Sequence, residues 1–150
     1  MKNLMRIVLA MLLTLSMVLC FAGCKEEKPT EPETTQVSGE IAAEGFWATA
    51  TYRKDTTVGE GSKTVKLDVE IDGRSITITL NTDAEKLGDA LYGAELINDA
   101  SFFDTLNGIK LDWNTHKAYW AFYKGDAYMM SGVNEEPISG GEHYRFVYTK

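Results

Sequence analysis

Two cysteines, two histidines and three prolines are all that the 150 residues hold of these types. Each scarcity removes a class of chemistry. Zinc sites draw Cys and His ligands at close spacing, whereas His116 and His143 are far apart in sequence and neither has a Cys nearby. Cys20 and Cys24 both lie in the N-terminal leader, so the folded part has no disulfide framework or thiol nucleophile. Basic residues are outnumbered, 15 against 22 acidic, for a net charge of −7. Nucleic-acid binding needs a basic face to displace phosphate counterions, so no nucleic-acid partner is expected. The Gly-x-Ser-x-Gly elbow of serine hydrolases is missing. Gly59-Glu60-Gly61-Ser62-Lys63 is Gly-rich but lacks the spacing and the following helix of a phosphate loop. With no nucleophile, metal set or paired carboxylates, the chain is read as a non-enzyme that requires no cofactor.

What is present begins with an address. Lys2 and Arg6 precede an apolar run over residues 7–18, and the leader closes on Phe21-Ala22-Gly23-Cys24. The charge, length and small residues are those of a secretory signal, and the run is short for a bilayer span. Ala22-Gly23-Cys24 resembles the lipobox of bacterial lipoproteins, with Phe21 where Leu is usual. The resemblance implies cleavage before Cys24 and a diacylglycerol on its thiol. Residues 1–23 are then the signal peptide, and the protein is extracytoplasmic, held at the cell surface by a lipid in the membrane. Loss of Lys2 and Arg6 leaves 13 basic residues against 22 acidic, a net charge of −9. Residues 24–44 are rich in Glu, Lys, Pro and Thr and bury too little to offset their ordering entropy. They read as a tether with a reach of roughly 25 Å.

From residue 45 the composition turns to alternating β-branched, aromatic and polar residues, enough for one core. In residues 64–80, Val65, Leu67, Val69 and Ile71 alternate with polar residues up to Asp72-Gly73, and Ile76, Ile78 and Leu80 alternate after it. A two-residue type I′ turn at Asp72-Gly73 predicts a hairpin pairing Val69 with Ile76, Leu67 with Ile78 and Val65 with Leu80. Thr82-Asp83-Ala84-Glu85 has the form of a capping box, which predicts a helix carrying Leu87, Ala90 and Leu91 on its apolar side and stopping near Gly93. A third strand is expected through residues 100–109, ending in an Asn107-Gly108 turn. An aromatic strand from Ala118 to Tyr123 follows, and the last strand places Tyr144, Phe146 and Tyr148 on one face. The pattern predicts an α+β domain, mostly β, of β-grasp type over residues 45–150.

Asn107-Gly108-Ile109, Asp112, Tyr119-Trp120-Ala121-Phe122-Tyr123, Gly125, Gly132-Val133 and the strand from Gly141 to Thr149 form a set of marks. Together with Thr82-Asp83 and Leu87-Gly88-Asp89-Ala90-Leu91, this set is similar to a bacterial domain-of-unknown-function family related to the C-terminal domain of transcobalamin. The likeness covers residues 46–149. Lys124 and Asp126 stand where the family has Asn and Glu, and the loop before the third strand is shorter than usual. The resemblance implies a β-grasp fold of the soluble-ligand-binding kind, with a corrinoid as the sharpest ligand it suggests.

The candidate site follows from the aromatic strand. Ala118, Trp120 and Phe122 point one way and Tyr119, Ala121 and Tyr123 the other, so both faces are apolar or aromatic. Trp120 and Phe122 are expected in the core, in a central strand. Tyr and Met suit half-exposed, adaptable contacts, and a Trp in a loop is a contact residue by position. Trp113, Tyr119, Trp120, Tyr123, Tyr128 and Met130 are therefore the expected ligand contacts. Asp112, Asn114 and His116 are read as turn capping rather than as a metal loop. Glu135 and Glu136 are expected in a solvated turn before Pro137. Two functions are open at this point: a small-ligand-binding module, or an adaptor whose same surface docks another envelope protein.

Overall fold

The computed structural model describes residues 35–36 and 39–150. The expected signal peptide and the expected lipidation site, Cys24, lie outside them, as does most of the segment read as a tether. The described residues belong to one compact unit. Nine strands are described: β1 (Thr35–Gln36), β2 (Thr56–Val58), β3 (Lys63–Ile71), β4 (Arg74–Thr82), β5 (Thr105–Leu106), β6 (Ile109–Lys110), β7 (Tyr119–Lys124), β8 (Ala127–Tyr128) and β9 (His143–Thr149). Two short helices, α1 (Leu87–Gly93) and α2 (Trp113–His116), and a 3-10 turn over Gly45–Thr49 complete it. The fold is α+β and mostly β, as the alternation implies.

The hairpin β3–β4 forms in the expected register, with Val69 opposite Ile76, Leu67 opposite Ile78 and Val65 opposite Leu80. Asp72 and Gly73 both have positive φ, as a type I′ turn requires. All seven apolar side chains of the pair are at most 2% exposed. Burying each stabilises by roughly 1.5–3 kcal/mol, so a one-residue slip that turned all seven outward would cost roughly 10–20 kcal/mol, comparable to a typical domain's whole stability of 5–15 kcal/mol. That cost is why the sequence determines the pairing so firmly.

The sheet is ordered β1-β4-β3-β9-β7-β8, with β2 also beside β4. β9 runs parallel to β3 and antiparallel to β7, so the chain's last strand, and not the aromatic β7, occupies the centre. The interior of β9 is correspondingly dry: Tyr144 and Phe146 are 0% exposed. Phe146 stacks on Phe122 of β7 with ring centroids 5.1 Å apart. β7 is one strand from the edge and is covered there only by the two residues of β8.

Two helix and strand expectations need correction. The capping box does not form, because Thr82 still pairs with Lys63 in the sheet and the Asp83 carboxylate accepts from the Ser62 amide and hydroxyl, each at 2.8 Å. α1 therefore starts at Leu87, where Lys86 makes no side-chain cap. It buries Leu87, Ala90 and Leu91 against the hairpin face as expected. The third strand shrinks to Thr105–Leu106, paired with Ile109–Lys110 and, by a single bridge from Leu106, with Ile97. The Asp99 carboxylate accepts from the Ser101 and Phe102 amides at 2.7 and 3.0 Å, an Asx turn that breaks extension before Phe103.

Three features tie the non-sheet layer to the core. Ile41 is buried, and its amide donates to the Arg53 carbonyl at 2.7 Å, so part of the segment read as tether packs into the fold. Trp47, on the 3-10 turn, is 0% exposed. Glu136 is not solvated: it is buried, and its Oε1 accepts from Lys124 Nζ at 2.7 Å and Tyr144 Oη at 3.0 Å. Burial, and then the hydrogen bond to Glu136, push the Tyr144 hydroxyl well above its ordinary pKa, so it stays a donor.

Gly88 sets the spacing between α1 and two loops. Its amide donates to the Val133 carbonyl at 2.9 Å. A Cβ there would lie 2.7 Å from the Ala100 carbonyl oxygen and 3.0 Å from Asn134 Cα. Both neighbours are backbone, so Gly88→Ala must displace a loop, and we expect it to cost about 1–3 kcal/mol by overpacking. A urea melt checks this. An unchanged midpoint would mean that the loops yield freely.

Candidate functional site

Residues 101–104, α2, one face of β7 and residues 128–133 enclose a cleft of about 430 Å³. This lies within the usual range for small-molecule sites. The floor is Ala118, Trp120 and Phe122, which share the inward face of β7. Phe103 stands on one wall and meets Phe146 edge to face at 5.9 Å, which couples that wall to the core. Met129 and Val133 form the other wall. The Met129 amide donates to the Phe122 carbonyl at 2.9 Å, and Val133 is held by the Gly88 amide.

Trp113 forms part of the mouth and is 58% exposed. It sits on α2, not in an irregular loop. That single turn is fixed reciprocally, because the Asp112 carboxylate accepts from the Thr115 amide at 2.9 Å while the Asp112 amide donates to His116 Nδ1 at 3.0 Å. Lys117, in the left-handed region, ends it. His116 packs edge to face on Phe46 at 5.4 Å, so Asp112 and His116 do act as caps. The other histidine, His143, lies elsewhere, on the open face of the sheet, 2.7 Å from Asp68 Oδ2.

Of the expected contacts, Trp113, Tyr119, Trp120 and Tyr128 come together around this cleft. Two do not. Tyr123 points to the opposite sheet face, where its ring packs on Tyr128 at 5.3 Å and under the Arg145 guanidinium at 5.6 Å. Met130 is 90% exposed and its neighbour Met129 lines the cleft instead. Trp120 and Phe122 are both core and floor, only 9% and 8% exposed. Phe102 and Phe103 were hidden from sequence reasoning by the strand expectation. The Asp99-x-Ser101 turn signal in front of them could have revealed a loop.

The cleft's polar groups are few. Burial pushes the Tyr119 hydroxyl above its ordinary pKa, with a further contribution from nearby Tyr128, so it is neutral at physiological pH. The Trp120 indole N–H is buried without an acceptor among the described residues, a condition shared with Trp47 in the core. Asp112 is held below the usual carboxylate range first by the Thr115 amide. For Asp104, burial works against ionisation but is outweighed by the Thr105 hydroxyl and the Lys110 ammonium, which leave it lowered. Depressed carboxylates contribute stability that is complete above the unfolded value near 4 and is lost as pH falls through the folded value. We therefore expect these groups to leave the melting temperature flat from pH 7 to 5 and to lower it below about pH 4. A loss beginning at pH 6 would contradict the assignment. Among the described residues, no group of three or more His, Cys, Asp or Glu is placed to hold a metal ion.

No known protein family and no curated protein matches the chain. Solved structures do. A candidate metal-binding protein from Ruminococcus gnavus aligns at a TM-score of 0.54 and 21% identity, covering 59% of this chain and 98% of that one. Haptocorrin, in a complex with cobinamide, aligns at a TM-score of 0.44 and 14% identity over 59% of this chain and 25% of that one. At 21% identity the first likeness is one of fold.

Proposed function

We propose that the chain is a non-catalytic, extracytoplasmic binding module, tethered to the membrane by a lipid on Cys24, and that a small organic ligand occupies the aromatic cleft. The observation that carries this reading is the cleft itself: a concave site of about 430 Å³, walled by Trp113, Tyr119, Trp120 and Tyr128. The cleft hydroxyls, Ser101 and Ser131, have no histidine among the lining residues to take their protons, which favours binding over hydrolysis. Anchoring is supported by the run ending in Ala22-Gly23-Cys24.

A corrinoid is the most specific form of the reading and rests on the family resemblance. A corrin macrocycle with its amide arms exceeds the cleft, so the cleft would grip one edge of it or one arm. A smaller ligand fits whole. Calorimetric titration of the full chain in neutral detergent with cobalamin and cobinamide, and with haem as a flat control, tests the corrinoid form. Saturable heat that disappears in Trp113→Ala supports it. No heat with either corrinoid sinks that form. A docked envelope protein is the second reading, favoured by Phe102 and Met130, which are 84% and 90% exposed. Retention of one envelope protein that Phe102→Ser abolishes would support it.

A further inference from the structure

Resting on the cleft as a ligand site, we propose that its ligand is a compact organic cation, such as a quaternary ammonium compound. Two features point the same way. Seven of the sixteen residues lining the cleft are aromatic, and ring faces carry the negative end of a quadrupole that attracts cations. The charged residues in that lining are Asp104 and Asp112, both acidic, and no Lys, Arg or His is among the lining residues.

The rest of the molecule gives the contrast. Tyr144, Tyr123 and Tyr148 are matched by the protein's own cations, with Lys124, Arg145 and Lys150 at 5.8, 5.6 and 5.9 Å from the respective ring centres. None of those three rings lines the cleft. Asp104 already pairs with Lys110 at 3.1 Å, so most of its charge is answered. Asp112 is bonded through its carboxylate to the Thr115 amide, an interaction that leaves its negative charge in place. Asp112 is therefore the anionic anchor, and the Trp and Tyr rings are the walls that replace the cation's hydration shell. An anionic or strongly acidic ligand would meet two carboxylates, with the nearby Lys110 already engaged by Asp104.

Matched pairs that differ in charge test this. The full chain in neutral detergent is titrated by calorimetry with choline and with its neutral carbon isostere, in which carbon replaces the quaternary nitrogen. The methylated nicotinamide cation and nicotinamide form a second pair. We expect each cation to bind about ten-fold or more tightly than its neutral partner. Asp112→Asn keeps an oxygen to cap Thr115 while removing the charge, and should weaken the cations several-fold without moving the neutral partners. Equal affinity within both pairs, or cation binding indifferent to Asp112→Asn, overturns the proposal. If neither cation binds, the proposal falls. The cleft reading then survives only if a corrinoid, haem or a neutral partner binds and is lost in Trp113→Ala. If every probe fails, both readings fall.

Discussion

Asn107→Ala is expected to destabilise the domain by about 3 kcal/mol, a large share of a typical 5–15 kcal/mol. Asn107 is 0% exposed. Its Oδ1 accepts from the Tyr52 amide at 2.9 Å and its Nδ2 donates to the Tyr52 carbonyl at 2.8 Å. Its own amide and carbonyl are bonded to Leu96 and to the Thr51 amide. One side chain thus closes the backbone of a segment fifty-five residues earlier in the chain. Losing two buried hydrogen bonds removes about 1 kcal/mol each, and placing Ala at φ 53° adds about 1–2 kcal/mol more. Asn107→Gly separates the two causes, because glycine takes that φ freely and should recover about 1 kcal/mol of the loss. Urea melts with equal slopes provide the measurement. A midpoint for Asn107→Ala within error of the unmodified protein would show that this tie holds nothing. Gly108 shares the location: a Cβ there would stand 2.6 Å from the Thr49 carbonyl oxygen.

Trp113→Ala is the opposite kind of change, large in binding and small in stability. The side chain is more than half exposed and its neighbours on α2 hold the turn without it. We expect at most about 0.5 kcal/mol of destabilisation, as for surface positions generally. Aromatic side chains that a partner fully buries are enriched among contacts whose truncation costs about 2 kcal/mol or more, so with the Trp113 ring covered by the ligand, affinity for a cleft ligand should fall about thirty-fold. Comparing the titration midpoint with the thermal melt separates the two effects. A variant that melts early and binds weakly in proportion would mean that Trp113 packs the fold and does not contact the ligand.

The sequence carried the hairpin because turn and alternation agreed at every pair, from Ile71 opposite Arg74 to Val65 opposite Leu80. It misplaced the centre of the sheet because alternation cannot tell a central strand from its neighbour. Aromatic content pointed to β7, whereas the parallel pairing of β9 with β3 is a long-range choice that leaves no local mark. The capping box at Thr82 was a local signal outcompeted by sheet pairing and by Ser62. Within the candidate site, Trp113, Tyr119, Trp120 and Tyr128 could be read from their types and neighbours. Tyr123 shares the alternation of Tyr119 along β7, but its ring is taken up by Tyr128 and the Arg145 guanidinium away from the cleft. Met129, rather than Met130, enters because its amide is fixed to Phe122 where β8 ends. Phe102 and Phe103 became legible only once the Asp99 turn was seen to break the strand.

The three tryptophans provide the most direct test of the central claim, that a ligand occupies this cleft. Each contributes one indole N–H signal in a heteronuclear spectrum of the isotope-labelled chain, assigned by single Trp→Phe changes. Trp113 stands at the mouth, Trp120 on the floor and Trp47 in the core away from the cleft lining. On titration with a ligand that binds by calorimetry, the account predicts that the Trp113 and Trp120 signals move together and saturate while Trp47 stays fixed. Saturable binding that leaves Trp113 and Trp120 unmoved would place the ligand elsewhere and contradict it.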